Sequence, residues 1–281
     1  MSTDPVALDE WYPVENSATV TADHPVDTLL LGSPIQLGRG PDGVPKVTRR
    51  GRDLPARERY GFLWTTLGAP VHEVVEITEA AEADRRYVAC GWVTFRTSAP
   101  RLVENFLDMA HFPFVHTDVL GAEDRAEVPE YDAEIRADVD EVWATNCRFF
   151  QPQVTATAAG AMAQLSYRVP APFLAMLYRV PPEAPTRQDV IALLIQPMEE
   201  ELCRAQPLEY LVYTGASHAA LLDFEQMIFL QDRIVVENQR PRKLPLDPRA
   251  EIPTRADAAS ITYRRWLKQK QLRYGVSWER P

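Results

Sequence analysis

"NFLDMAHFPFVHTDVLG", residues 105–121, places two of the chain's five histidines, two aspartates and three phenylalanines in one apolar stretch. His111 and His116 stand five residues apart, with Asp108 three before the first and Pro113 between them. An uninterrupted helix would point residues i and i+5 about 140° apart, so both imidazoles could not face one ion. A proline lacks the backbone donor and clashes with the preceding turn. The spacing therefore predicts that the helix ends or kinks at Pro113 and lets His116 swing back beside His111. Asp108, three residues before His111, is then expected on the same face, within reach of an imidazole N–H. That is the usual support of a metal-bound histidine.

Two interior histidines can also be plain hydrogen-bonded core residues. The Asp, the Pro and the apolar surroundings together favour a metal pair, which needs a further acidic ligand to make a 2-His-1-carboxylate triad. Asp232 is the candidate. It lies in "SHAALLDFEQMIFLQDRIVVENQ", 217–239, a stretch of helical periodicity that ends before Pro241. Its same-face neighbours there are Ile228, Phe229, Val235 and Val236, and a carboxylate in that company is costly unless paired with a cation or proton. Glu225, nearly two turns earlier, is the rival ligand.

Outward from these two segments the chain reads as α+β. "APRLVENFLDMAHF" is helical, and "EYDAEIRADVDEVWATNCRFF", "AMAQLSYRVPAPF", "AMLYRV" and "DVIALLIQPM" follow as strands without intervening helices. A curved antiparallel sheet gripping the later helix is the expected architecture for residues 76–281. Residues 1–75 carry short β-like runs separated by "GRGPDGVP" and "TRRGRDLPARER", which read as turns or exposed loops. Phe149, Phe150, Phe173, Met176 and Tyr178 could line an aromatic pocket, but such residues at these spacings read as core.

Composition narrows the function. The chain of 281 residues has 46% hydrophobic and 25% charged residues, an ordinary globular balance. A net charge of -10 argues against nucleic acid as a partner, since that affinity comes from clustered Lys and Arg. Neither a leader peptide nor a run of about 20 apolar residues is visible, so a cytoplasmic protein without membrane contact is expected. Cys90, Cys147 and Cys203 lack CxxC spacing and read as buried free thiols.

The two segments resemble the catalytic domain of the Rieske non-haem iron oxygenase α subunits. Asp108-Met-Ala-His111 with His116 is similar to that family's D-x-x-H-x-x-x-x-H pattern, and Asp232-Arg-Ile-Val-Val-Glu237 to its third-ligand segment. "RADAASITYRRWL" extends the likeness toward the end of the chain, and "WYPV", "LLLG" and "YGFLW" resemble the flanks of the family's Rieske domain. The resemblance implies His111, His116 and Asp232 as ligands of a mononuclear Fe(II). It implies Asp108 as the carboxylate linking that iron to the Rieske histidine of a neighbouring subunit, and a helix-grip domain assembled as a homotrimer or a hetero-complex.

One departure is equally informative. A Rieske [2Fe-2S] centre takes two Cys and two His, supplied in the family as C-x-H and C-x-x-H, and this chain has neither. Residues 1–75 then correspond to a truncated Rieske-like β unit without its cluster. Such a subunit needs NADH-derived electrons from a separate Rieske-containing reductase. Within the family this is similar to the Rieske-less oxygenase components of bacterial methylxanthine N-demethylation. The resemblance thus implies a monooxygenase that hydroxylates an N-methyl group of a small heteroaromatic, with 7-methylxanthine giving xanthine and formaldehyde. O-demethylation or ring hydroxylation of another aromatic, or a non-catalytic scaffold role, would use the same fold. A zinc hydrolase lacks the HExxH glutamate it would need.

Overall fold

A computed structural model describes residues 2–154, 159–212, 215–247 and 249–278. Its centre is an eight-stranded antiparallel sheet. The strands are β1 (Arg86–Ala89), β2 (Val93–Phe95), β3 (Asp132–Arg136), β4 (Glu141–Gln153), β5 (Ala159–Ala171), β6 (Leu174–Arg179), β7 (Asp189–Glu199) and β8 (Leu202–Leu211). Consecutive pairing runs from β3 to β8, and the edge of β8 is shared by β1 and β2. The fold is thus mixed helix and sheet, and mostly strand, as the period-two patterning requires.

Side chains alternate across this sheet, and both faces are covered. Leu165, Tyr167, Leu177, Arg179, Ile191 and Pro207 point toward the helices. Met176, Tyr178, Val190, Ala192, Leu194 and Leu208 point the other way and pack on Phe62, Trp64, Val74 and Ile77 from the N-terminal part. Burial on both sides is why β7 reads as a continuous apolar run rather than an alternating one.

Four helices matter for the site: α1 (Ala99–Leu107), α2 (Phe112–Val115), α3 (His218–Val236) and α4 (Ala258–Gln269). Ser98 and Ser217 cap α1 and α3 by accepting from the Arg101 and Ala220 amides. α3 buries Leu221, Phe224, Glu225, Phe229, Asp232 and Val236 and lies in the grip of the sheet. Phe229 meets Phe95 of β2 edge-on at 4.9 Å, and a buried ring of this kind contributes about 2–3 kcal/mol. α1 is tied to α4 by a buried ion network in which Arg101 contacts Glu104 and Glu251, and Arg264 contacts the same two carboxylates.

The N-terminal part differs from the sequence reading. "GRGPDGVP" is the expected turn over 40–44, but "TRRGRDLPARER" is largely strand: Pro45–Arg49, Arg52–Leu54 and Ala56–Arg59 enter two small sheets beside Tyr12–Asn16, Val26–Leu30, Ser33–Arg39 and Phe62–Thr65. Their high charge hid them because these strands are short and partly exposed. Two-residue turns close three of the four hairpins there: Leu31-Gly32, Arg50-Gly51 and Tyr60-Gly61, each with positive φ at both residues. That is the geometry whose twist matches antiparallel strands, and glycine in the second position adopts it without strain.

Candidate metal centre

The histidine-bearing stretch folds differently from the expected kinked helix. α1 stops at Leu107, Asp108 follows in extended conformation, and a turn carries the chain to His111, which opens α2. Pro113 sits in the first turn of α2, where its missing N–H has no partner to lose, so it starts a helix rather than ending one. Asp108 is therefore not on a helix face with His111. It reaches the imidazole through the turn, accepting from the Ala110 amide at 2.7 Å with Oδ1 and from His111 Nδ1 at 3.1 Å with Oδ2.

After α2 the chain is fastened back on itself. The Thr117 hydroxyl donates to the Pro113 carbonyl at 2.6 Å, and the Asp118 amide to the Gly121 carbonyl at 2.9 Å. Gly121 lies directly against the Phe112–Pro113 backbone. Phe112 packs edge-on against Phe149 of β4, with ring centroids 5.6 Å apart. This compact turn brings His116 beside His111, with the Nε2 atoms 3.2 Å apart.

Asp232, near the C-terminal end of α3, completes the group. Its Oδ1 lies 3.1 Å from His116 Nε2 and 3.3 Å from His111 Nε2. Among the described residues these three offer ligand atoms all within 4.8 Å of one another. Glu225 does not join them. It faces Glu209, and burial raises the pKa of both carboxyls, each being near the Arg179 guanidinium. Arg179 already pairs with Asp189 at 3.1 Å.

The tautomers follow from the outer partners. His111 Nδ1 donates to Asp108, and His116 Nδ1 donates to Gln231 Oε1 at 2.8 Å. Both Nε2 lone pairs therefore converge on the Asp232 carboxylate, an arrangement that only a cation relieves. Burial would push the His111 pKa down, but hydrogen bonds to Asp108 and Asp232 and their charges reverse this and raise it to about 9. Burial likewise opposes ionisation of Asp232, yet the hydrogen bonds from His111 and His116 hold its carboxyl well below the usual range. Two imidazole nitrogens, held from outside by Asp108 and Gln231, and one carboxylate fit Fe(II) of the facial-triad class.

The group lies between two hollows. On the outer side a groove of about 460 Å³ is bordered by Asp108, His111, Asn105, Gln239, Glu251 and Arg264. On the inner side a cavity of about 80 Å³ runs between the sheet and α3, touching His116, Asp232, Phe224 and Ile228. Of the aromatic candidates only Phe149 packs near the site, under Phe112. Phe173 packs on Tyr12, Met176 and Tyr178 belong to the opposite face, and Phe150 lies under Arg125. Cys90, Cys147 and Cys203 are buried free thiols. Gln231 was not foreseen from sequence. A glutamine beside Asp232 on a helix points about 100° away from it, and only the fold shows that His116 fills that direction.

No helix among the described residues is long and apolar enough to cross a membrane. Residues 95–273 match the vanillate O-demethylase oxygenase C-terminal domain. The chain is 42% identical over 273 residues, 96% of each chain, to a probable methylxanthine N7-demethylase, NdmC, of Pseudomonas sp. (strain TJI-51). It is 26% identical over 220 residues, 75% of this chain and 59% of the relative, to the methylxanthine N1-demethylase NdmA of Pseudomonas putida. The structure of Pseudomonas putida CBB5 NdmA with caffeine superposes with a TM-score of 0.74 at 19% identity, covering 92% of this chain and 89% of that one. With the matched domain spanning α1, the sheet and α3, the chain belongs to the Rieske oxygenase family.

Proposed function

We propose that this chain is a Rieske-less Fe(II) monooxygenase subunit that removes an N-methyl group from a methylxanthine, converting 7-methylxanthine to xanthine. The observation that carries the reading is the convergence of His111 Nε2, His116 Nε2 and Asp232 Oδ1, with both Nδ1 atoms held as donors by Asp108 and Gln231. Bound there, Fe(II) would supply the activation of dioxygen. The rest falls to the protein. Asp108 and Gln231 fix the imidazole orientations, α3 sets the carboxylate, and Phe224, Ile228 and Leu177 give the inner cavity apolar walls.

In the net reaction the N–CH₃ compound, O₂, NADH and a proton give the N–H compound, formaldehyde, water and NAD⁺. The C–H bond is hydroxylated, and the resulting hemiaminal breaks its C–N bond. The chain lacks the C-x-H and C-x-x-H ligands of a Rieske cluster, so both electrons come from a separate reductase that carries one. Asp108 stands at the outer groove, on the side away from the inner cavity, and is the entry point we assign to those electrons. Residues 1–75, read as a truncated Rieske-like unit preceding the iron domain of 76–281, would then leave room for the reductase's cluster domain.

The test is reconstitution. Anaerobically Fe(II)-loaded chain is mixed with a Rieske-containing reductase, NADH and 7-methylxanthine in air, and xanthine and formaldehyde are measured. Equal amounts of both, dependent on the reductase, support the reading. No product with methylxanthines but formaldehyde from a methoxybenzoate would replace it by O-demethylation.

A further inference from the structure

We infer that the exposed apolar ridge Met227, Leu230 and Ile234 on α3 is the surface on which the cluster-bearing domain of the electron-donating reductase docks, guided by Arg265 and Lys268 at the outer groove. The inference rests on the demethylase reading, which needs an external donor, and names where that donor sits.

A helix that covers a core normally turns its polar face to water. The C-terminal half of α3 departs from this, because Met227, Leu230 and Ile234 are exposed, Ile234 to 69%. Side chains at i and i+4 stack on one face of a helix, so Leu230 and Ile234 form one ridge, and Gln231 and Val235 form the ridge beside it. That second ridge serves the metal centre. Gln231 Oε1 accepts from His116, and Val235 borders the outer groove together with Asp108 and His111. Ile252, which is 96% exposed, borders the same groove. Single exposed apolar residues need no explanation, but a run of them beside a functional group marks a contact surface.

The surroundings say which partner fits. Every residue bordering the groove lies between Arg101 and Lys268, so the chain's own N-terminal unit takes no part in it. Asp108 and His111 are partly open to solvent there, whereas His116 is buried, so a donor at the surface meets the triad at this edge. A second copy of this chain carries no cluster, and seated here it would block that edge without supplying electrons. Arg265 and Lys268 border the groove, are exposed, and make no ion pair among the described residues, in a chain of net charge -10. Two free cations beside an apolar ridge suit a partner surface with an apolar centre and an acidic rim. The charges steer the encounter and the apolar contact supplies affinity.

The probe is the purified Rieske-containing reductase that supports turnover in the reconstitution above. Its affinity for the full Fe(II)-loaded chain is read by titration calorimetry under nitrogen, without substrate. Leu230→Glu and Ile234→Glu place a charge on the ridge while keeping a good helix former, and each should weaken binding by about tenfold or more. The reductase concentration for half-maximal turnover should rise in step, while turnover at saturating reductase stays within about twofold of wild type. Joint Arg265→Glu and Lys268→Glu should weaken binding more at low salt than at high salt. Val139→Glu, at an exposed apolar position in the turn between β3 and β4, is the control and should bind as wild type does. The inference is overturned if both ridge variants bind the reductase as tightly as wild type, if Val139→Glu weakens binding equally, or if the ridge variants lose iron, since the ridge would then serve the fold. It is overturned separately if the chain alone sediments as an oligomer that Ile234→Glu splits, because the ridge would then join copies of this chain. If no reductase supports demethylation of any methylxanthine, the demethylase reading fails and takes this one with it.

Discussion

Gly121→Ala tests whether the turn around α2 is what places the two histidines. A Cβ at Gly121 would lie 2.5 Å from the Pro113 nitrogen and 2.7 Å from both the Phe112 carbonyl carbon and the Pro113 Cα. Ordinary contact starts at 3.4 Å, so the backbone between His111 and His116 must retreat by roughly 0.9 Å. It has little freedom to do so. Phe112 is packed on Phe149, and the Pro113 carbonyl is held by Thr117. Overpacking of this kind costs about 1–3 kcal/mol of stability. A displacement near 1 Å at metal-bearing side chains should lower iron affinity by about 10–100-fold, as loss of an outer-shell partner does. The assay is chelator competition for Fe(II) together with urea unfolding. Gly43→Ala is the control, since Gly43 has a φ of +77° and no atom within 4 Å of the added carbon. That control should lose about 1 kcal/mol from backbone strain alone and bind iron normally. Wild-type iron affinity in Gly121→Ala would refute the argument, because the turn would then be soft and the histidines placed by something else.

Asp232→Ala should abolish stoichiometric Fe(II) binding while Glu225→Gln, isosteric with the protonated acid, keeps it; elemental analysis after gel filtration reads both, and iron loss only in the Glu225 variant would reassign the third ligand. Asp108→Asn should retain iron yet lose reductase-coupled turnover by about a hundredfold, and product formation at the wild-type rate would move the electron entry elsewhere. Glu10 gives a pH prediction away from the site. Burial, opposed by Lys270 and aided by Asp9 and Asp140, raises its pKa from 4.5 to about 7. The folded state thus holds a proton that the unfolded state releases between these values, so this group's contribution to stability falls as pH rises from 4.5 to 7. Glu10→Gln should match wild type near pH 4 and exceed it by roughly 2–3 kcal/mol near pH 8 in urea unfolding, and equal stability at both would show that the carboxyl is solvated.

What periodicity and residue chemistry can carry is legible in the chain alone. The 3.6-residue repeat ending before Pro241 marked α3, the uninterrupted strand patterns marked the antiparallel sheet, and the Asp108–His111–His116 and Asp232–Glu237 segments marked the family. Charge and short length hid the N-terminal hairpins, since a half-exposed strand of three to five residues has too little apolar alternation to register. Pro113 is ambiguous in sequence because a proline both ends helices and begins them, and which role it takes depends on where the preceding helix runs out. The meeting of Asp232, and not Glu225, with the histidines, and the hold of Gln231 on His116, are visible only in three dimensions. Those outcomes depend on how α3 is rotated in the grip of the sheet. That rotation is set by packing of residues more than a hundred positions apart, such as Phe229 on Phe95, and no local pattern encodes it.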